Sequence, residues 1–507
     1  MTTTTSLADY RRKKVSRSAQ IRARLPYPVI DSDLHTTEFQ PLLDDYVDKF
    51  GGAKAVDKFR AFVGKGYAFG KYDWYGLSPE ERNHYRSVRP AWWSIPSKNT
   101  IDYATVSLPQ LLHERLQDNG TDYAVLYPNI ATFAVLVRDD DLRQPLIRAI
   151  NTYHADVYRP YADRLTPVAA IPLHNPQEGI EELEHAVKVL KLKTALIPGG
   201  LKRPIEAVAE RYPGRHHPDV AQYATYLDFF GIDSPHDYDP FWAKVIELKV
   251  PLTTHTGAMG WSARSSTSNY MFNHIGHFAA ASHAFAKSIF LGGVTRRFPG
   301  LRFGFLEGGA GWGAQLYADL VGHWEKRGRP QVQNYDPKAL DRDLLLKLYR
   351  EHGQDLFAGG NPDDETLLKA ALGGVLGAFS KDEAAETIDE FPGITSIEDI
   401  RDRFVPNFYF GSEADDPTVA HAFNTRVNPL GARLNAFWAS DFGHWDVPDG
   451  TEVLAETWSL VERGAITEDE FRDIVFANPY RFYTEADPDF FRGTAIDGAG
   501  AKAKVAP

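Results

Sequence analysis

The sequence predicts a parallel (β/α)8 barrel with large insertions after its first and sixth strands. Eight short apolar segments alternate with helix-like stretches along the 507 residues, and eight is the number of strands that closes such a barrel. Ligand-type side chains stand at the C-terminal ends of several of these segments, which is where a barrel gathers its chemistry. No glycine-rich phosphate loop follows the first segment, so the open doubly wound sheet, which is the alternative, carries less weight.

The first strand is read at 29–33, as a short buried run that delivers Asp33 and His35 at its end. Residues two apart on a strand point to one side, so a carboxylate and an imidazole spaced this way can grip one ion. The same pair also commonly caps a turn or a helix. The stretch 36–105 lacks strong periodicity and is rich in aromatics (Tyr67, Phe69, Tyr72, Trp74, Tyr75, Trp92, Trp93). An insertion of that length is expected to be functional, its aromatics meeting a substrate or packing a subdomain or subunit contact.

A helix at 108–119 ending at Gly120 feeds a second strand at 123–127. Helix 142–164, strand 168–172, helix 177–192 and strand 194–198 follow, the last broken by Gly199-Gly200. An extended loop at 201–238 and a helix at 240–248 lead to the fifth strand, 250–255. A helical region at 277–298 precedes the sixth strand, 301–307, and the second insertion is expected at about 312–403. Strands 408–412 and 436–441 complete the eight, and helices 451–463 and 467–477 close the domain. The barrel domain is expected to span 27–491, with a flexible arm at 1–26 and a disordered Ala/Gly-rich tail at 492–507.

Hydrophobic residues make up 43% and charged residues 24% of the chain, an ordinary balance for a globular protein with a large core. The net charge of -12 argues against nucleic acid as a partner, although an acidic protein can carry a local basic groove. With no cysteine in the chain, disulfides, thiolate nucleophiles and Cys-type zinc sites are excluded, and any metal must sit on His, Asp or Glu. No run reaches the length of a membrane span and residues 1–24 lack the apolar core of a signal peptide. The cytoplasm is the expected location, and the loose arm and insertions suggest a homo-oligomer.

Four strand ends carry the candidate chemistry: Asp33 and His35 on the first, His255 on the fifth, Glu307 on the sixth and Asp441 on the eighth. Each has an ordinary reading. His255 could be a satisfied buried histidine, Glu307 could accept the N–H groups of its Gly-Gly turn, and Asp441 could cap a helix. Together they would put several ionisable groups in the interior, where unpaired charge costs several kcal/mol. One shared cation removes that cost for all of them. Two carboxylates and two imidazoles suit Zn, Mn or Fe(II) better than Mg or Ca.

The run Ile30-Asp31-Ser32-Asp33-Leu34-His35-Thr36-Thr37-Glu38 resembles the opening motif of the amidohydrolase superfamily. The branch is the one that includes aminocarboxymuconate-semialdehyde decarboxylase and γ-resorcylate decarboxylase. Asp239-Pro240-Phe241-Trp242 before His255, Arg297-Phe298-Pro299-Gly300-Leu301 before Glu307-Gly308-Gly309, Ala439-Ser440-Asp441, and the closing 477–483 segment are similar to the same branch. The resemblance implies a distorted barrel holding a divalent metal, usually zinc, with Asp33, His35, His255 and Asp441 as its ligands. Two departures stand out: Asp33 takes the first place of a motif that is often His–x–His, and Glu307 replaces a histidine that moves protons in the decarboxylases.

The expected activity is metal-dependent hydrolysis of a small aromatic or carboxylate-bearing substrate, with Glu307 or Asp441 taking the proton from metal-activated water. A non-oxidative decarboxylase or hydratase is the alternative, and a non-enzymatic binding barrel the third reading. His277 is expected to line the site, and Lys202 and Arg203 to meet an anionic substrate, or simply to be solvated loop residues. One ion is expected, because the fourth strand offers no bridging carboxylate or lysine, although Glu307 could recruit another.

Overall fold

A computed structural model describes residues 15–64, 74–93, 95–255, 261, 264–373 and 389–500. Tyr67, Phe69 and Tyr72 of the first insertion, residues 1–14 of the expected arm and 501–507 of the expected tail lie outside the described residues. The chain divides into two compact units, residues 1–317 with 401–507, and residues 318–400.

The first unit is the barrel. Its strands are β1 (Ile30–Thr36), β2 (Tyr123–Pro128), β3 (Leu165–Pro167, resuming after Val168 as Ala169–Ala170), β4 (Ala195–Ile197), β5 (Leu252–Thr254), β6 (Phe303–Phe305), β7 (Phe408–Ser412) and β8 (Asn435–Trp438). Each pairs in parallel with the next. The ring closes through a parallel bridge between Leu34 and Phe442, with the His35 N–H donating to the Phe442 carbonyl at 2.8 Å. The strands are buried along their whole length, as parallel strands wrapped by helices must be.

The third strand shows why its sequence reading, 168–172, started late. Its first half pairs with β2 and its second half with β4. At the changeover the Asn151 side chain donates to the Ala170 carbonyl and accepts the Ala170 N–H at 2.7 Å. A side chain from helix Asp140–Tyr158 thus supplies what the broken ladder lacks.

Three expectations of organisation are corrected. The insertion after β1 is not loop throughout: Gln40–Gly64 is helical, interrupted at Gly52, which takes φ 69°. Its apolar residues Leu43, Val47, Ala55, Val56 and Phe59 are buried, and this tertiary packing outweighs the weak periodicity. The expected arm contains helix Arg17–Arg22, capped by Ser16, with Ile21 in the core. The expected tail is anchored near its described end: Ile496 is buried, and the Ala495 N–H donates to the Asp163 carbonyl.

In the expected loop after β4, strands Leu201–Pro204 and Thr225–Asp228 form an antiparallel hairpin. The second unit carries helices Arg342–His352 and Asp364–Gly373. Among the described residues no helix is long and apolar enough to cross a membrane.

Candidate metal centre

Every ligand-type residue singled out at a strand end reaches one buried place. Asp33 and His35 lie within β1, and His255 follows β5 directly. β1 carries a bulge there: three steps, from Asp31 to Leu34, face two on β2, from Ala124 to Leu126. Bulges re-aim side chains beside active sites, and this one sits on a metal-capable residue. Glu307 and Asp441 stand two and three residues beyond β6 and β8, and both hold left-handed backbone, at φ 58° and 54°. For residues other than glycine this conformation costs on the order of 1–2 kcal/mol, and it concentrates at functional sites. Gly443 follows at φ 96°, and a Cβ there would lie 2.4 Å from the His35 carbonyl oxygen. Only glycine lets this loop close onto β1.

Asp33, His35, His255 and Asp441 are at most 3% exposed. Each offers one ligand atom within 4.8 Å of the others. His35 Nε2 lies 2.9 Å from His255 Nε2, 3.1 Å from Asp441 Oδ1 and 3.4 Å from Asp33 Oδ1, and His255 Nε2 lies 3.5 Å from Asp33 Oδ2. Bonds of 2.0–2.2 Å from a tetrahedral ion put donors about 3.4 Å apart, the spacing seen here. Neither Asp33 oxygen accepts a hydrogen bond, nor does Asp441 Oδ1.

The electrostatics agree with a cation site. Burial, with the neighbouring charges of Asp441 and Glu307, pushes Asp33 well above the usual carboxylate range. Burial and His444 lower His35, and burial, His35 and His444 lower His255 strongly, so both imidazoles are the neutral form that binds metal. Two neutral Nε2 lone pairs facing each other at 2.9 Å repel unless a cation or proton lies between them. The residues present fit a divalent ion held by two nitrogens and two carboxylates.

A second set adjoins the first. Glu307, Asp441 and His444 are buried, with ligand atoms within 4.8 Å of one another. His444 Nδ1 lies 3.0 Å from Asp441 Oδ2 and 3.3 Å from Glu307 Oε1, while Glu307 Oε2 lies 3.2 Å from His255 Nε2. Burial would lower His444, but Asp441 and Glu307 outweigh it and raise the imidazole well above its usual range. Burial would likewise raise Asp441, yet His444, which is hydrogen-bonded to it, and the neighbouring His35 hold it below the usual range. Glu307 is pushed well above its usual range by burial and the charge of Asp441.

The substrate-facing expectations fare differently. His277 Nδ1 is bonded to the His274 carbonyl and its ring packs on Phe278 at 3.8 Å. His274 is the one that approaches Glu307, at 3.9 Å. Arg203 is engaged in a structural network: Asp228 at 3.0 Å, the carbonyls of His174 and Leu173, and the Tyr238 hydroxyl. Lys202 is exposed on the hairpin strand Leu201–Pro204. An aromatic wall stands beside the ligands, with Phe278 5.0 Å from the His255 ring and Trp445 stacked on His444 at 5.0 Å. The sequence leaves His274, with His277, open as a second metal's ligand, a substrate contact or a helix-start residue, and it gives no role to His444 or Asp31. The last two were marked by position alone, His444 three residues after Asp441 and Asp31 two before Asp33.

Residues 111–336 match the family model described as amidohydrolase. The match covers less than half of the chain and is a likeness to that family. The matched region covers the second to sixth strands of the barrel, including His255 and Glu307. Among solved structures, the chain is similar to an amidohydrolase from Mycobacterium avium subsp. paratuberculosis K-10, with 15% identity, a TM-score of 0.50 and coverage of 90% of this chain and 100% of that one. It is also similar to a 2,6-dihydroxybenzoate decarboxylase from Rhizobium (14% identity, TM-score 0.47, 90% and 99% covered). A third is a dihydroxybenzoic acid decarboxylase from Polaromonas sp. JS666 with bound manganese and 2-nitroresorcinol (15% identity, TM-score 0.46, 90% and 97% covered). No curated protein matches the chain.

Proposed function

We propose that this chain is a divalent-metal-dependent lyase that removes CO2 from a small aromatic acid without an oxidant. The observation that carries the reading is the place of Glu307, a buried carboxyl 3.2 Å from His255 and 3.3 Å from His444, whose pKa burial and the charge of Asp441 push above the usual range. It stands where the sequence's decarboxylase relatives place a proton-transferring histidine, and a carboxylic acid with a raised pKa can do the same work. The histidine-to-glutamate change therefore keeps a proton donor in place.

When bound at Asp33, His35, His255 and Asp441, the cation supplies the positive charge that holds a substrate oxygen and offsets charge developing on the ring. Phe278 and Trp445 offer flat apolar surface for an aromatic ring. As the carbon–carbon bond breaks, its electron pair stays on the ring carbon and CO2 leaves. Glu307 gives its proton to that carbon, and His444, 3.3 Å from Glu307 Oε1, returns one to the carboxylate. Burial of the pair keeps bulk water from competing for the proton.

Hydrolysis is the second reading, favoured by Asp441. Its carboxyl is held below the usual range, chiefly by His444 acting against the effect of burial, and an ionised carboxylate is a base for water. The two readings separate on product. Metal-loaded protein incubated with ortho-hydroxybenzoic acids in deuterium oxide is expected to release CO2 and leave deuterium on the carbon that lost it. Oxygen-18 entering the product of an ester or amide panel from labelled water, with no CO2 from any aromatic acid, overturns the lyase reading.

A further inference from the structure

Tyr270 is buried, at 5% exposure, yet its Oη has no hydrogen-bond partner among the described residues. Its ring lies 5.3 Å from that of His274 and 5.4 Å from that of Trp445. Both neighbours border the centre: His274 Nε2 is 3.9 Å from Glu307, and Trp445 stacks on His444. Trp93, in the insertion after β1, meets the Tyr270 ring nearly at a right angle at 5.6 Å, and its Nε1 donates to the Trp445 carbonyl. We propose that Tyr270 sets substrate specificity, its phenol O–H donating a hydrogen bond to a neutral oxygen substituent on the substrate's aromatic ring. The inference rests on the aromatic-substrate reading above and adds a recognised group to it.

The backbone that carries this hydroxyl is firmly held. Tyr270 opens the short helix Tyr270–His274, where the Asn269 side chain accepts the Phe272 N–H at 3.0 Å. Asn273 accepts the Ser266 N–H at 2.6 Å and donates to the carbonyls of Arg89 and Ser266. The Arg89 N–H donates to the Ser266 carbonyl at 3.0 Å, and Trp74 Nε1 to the Thr267 carbonyl at 3.0 Å. Arg89 and Trp74 belong to the first insertion, which thereby clamps the segment bearing Tyr270. A buried donor without an acceptor destabilises the fold and calls for an explanation. A recognition group fixed by its own supporting shell supplies one.

The surroundings decide which kind of atom the hydroxyl meets. Burial, with the carboxylates Glu307, Asp446 and Asp441, raises the phenol above its usual range, so Oη keeps its proton and donates. Those carboxylates repel any anionic group on the substrate beyond the one that meets the cation, and Tyr270 brings no positive charge to offset the repulsion. A hydroxyl, methoxy or carbonyl oxygen accepts from Oη without it. A methyl group at the same ring position would leave the phenol O–H buried and unpaired. Sites built around a hydrogen bond reject analogues that lack the partner for that reason.

The test is binding of ortho-hydroxybenzoates to the full-length protein loaded with Mn(II), followed by calorimetry. The panel holds the parent compound and derivatives carrying, at each open ring position, either a second hydroxyl or a methyl group. Wild type is expected to favour hydroxyl over methyl at one position by about fivefold or more, the worth of a neutral hydrogen bond. Tyr270→Phe removes no internal bond, so it should unfold at no lower temperature and bind the parent compound within about twofold of wild type, yet lose the preference for hydroxyl. For CO2 release from the favoured compound, KM should rise by the same factor while kcat changes less. Equal loss of affinity for every compound, or a preference that survives in Tyr270→Phe, overturns the proposal, as does a wild type without preference. Preferential binding with no CO2 released overturns the lyase reading and leaves the role of Tyr270 standing. No binding of any compound overturns both.

Discussion

The carboxylate of Asp31 accepts the Ser440 N–H at 3.0 Å and the Ser440 hydroxyl, tying the strand that carries Asp33 to the residue before Asp441. The Ser440 hydroxyl in turn accepts the Phe442 N–H at 3.1 Å, and the Asp441 N–H donates to the Asp33 carbonyl at 3.0 Å. First and eighth strands are thus sewn together at the level of their ligands. Groups that orient ligands typically cost 10- to 100-fold in metal affinity when removed, so Asp31→Ala is expected to weaken metal binding by roughly that factor. Asp31→Asn keeps an acceptor for the Ser440 N–H and should retain most of the affinity. Competition against a chelator measures both, and an alanine variant that binds metal like wild type would show the tie to be idle.

Metal should matter more to stability as pH rises. Asp33 and Glu307 are raised well above their usual range, chiefly by burial, and Asp31 is pushed up to about 7 by burial. A carboxyl raised in the folded state contributes stability that is complete below its unfolded pKa and is lost as pH climbs through the folded value. The stripped protein therefore loses these contributions between about pH 4 and 7 and above, while a bound cation offsets the charges that cause the loss. At a metal concentration 100-fold over Kd the loaded form gains about 2.7 kcal/mol. The gap in Tm between loaded and stripped protein is expected to widen from pH 5.5 to 8. An unchanged gap would mean that the carboxylates do not meet the metal.

Much of the barrel and its ligands was legible because short apolar runs ending in Asp, His or Glu are dictated by local chemistry. β7 was read at its observed bounds, and Asp33, His35, His255 and Asp441 converge as the strand-end rule requires. What the sequence did not disclose depends on tertiary context. The left-handed backbone of Glu307 and Asp441 leaves no mark in the residue type, yet it turns both carboxylates toward His444. The helix Gln40–Gly64 has almost no periodic signal and is held by burial against its neighbours. Two histidines follow β5 in sequence, and spacing alone does not tell that His274 is the one 3.9 Å from Glu307 while His277 bonds the His274 carbonyl.

Arg203 gives a test of structure against substrate binding. Its guanidinium bonds Asp228, two carbonyls and the Tyr238 hydroxyl, and the Asp228 side chain is fully buried. Removing one partner of such a pair leaves an uncompensated charge, which costs about 3–5 kcal/mol. Arg203→Ala is accordingly expected to lower unfolding stability by about that amount, with the KM of surviving enzyme near wild type. A raised KM with unaltered stability would return Arg203 to the substrate.

Acid sensitivity should trace in part to His174, remote from the ligand set in sequence and bonded to none of it. Burial lowers its imidazole to about 3, with Arg143, Arg203 and Arg138 adding to the effect, and neither ring nitrogen has a hydrogen-bond partner. A histidine lowered in the folded state keeps its full contribution above the unfolded pKa of about 6.5 and loses it as pH falls toward the folded value. The unfolded chain then binds a proton that the folded chain refuses. His174→Leu cannot take that proton in either state, so its stability relative to wild type should improve steadily as pH drops from 7.5 to 5. The limit is about 1.4 kcal/mol per pH unit below 6.5, reduced by water at the partly exposed edge of the ring. Urea unfolding of both proteins at several pH values measures the difference. A difference that stays flat across this window would mean that His174 titrates normally and that acid sensitivity arises elsewhere.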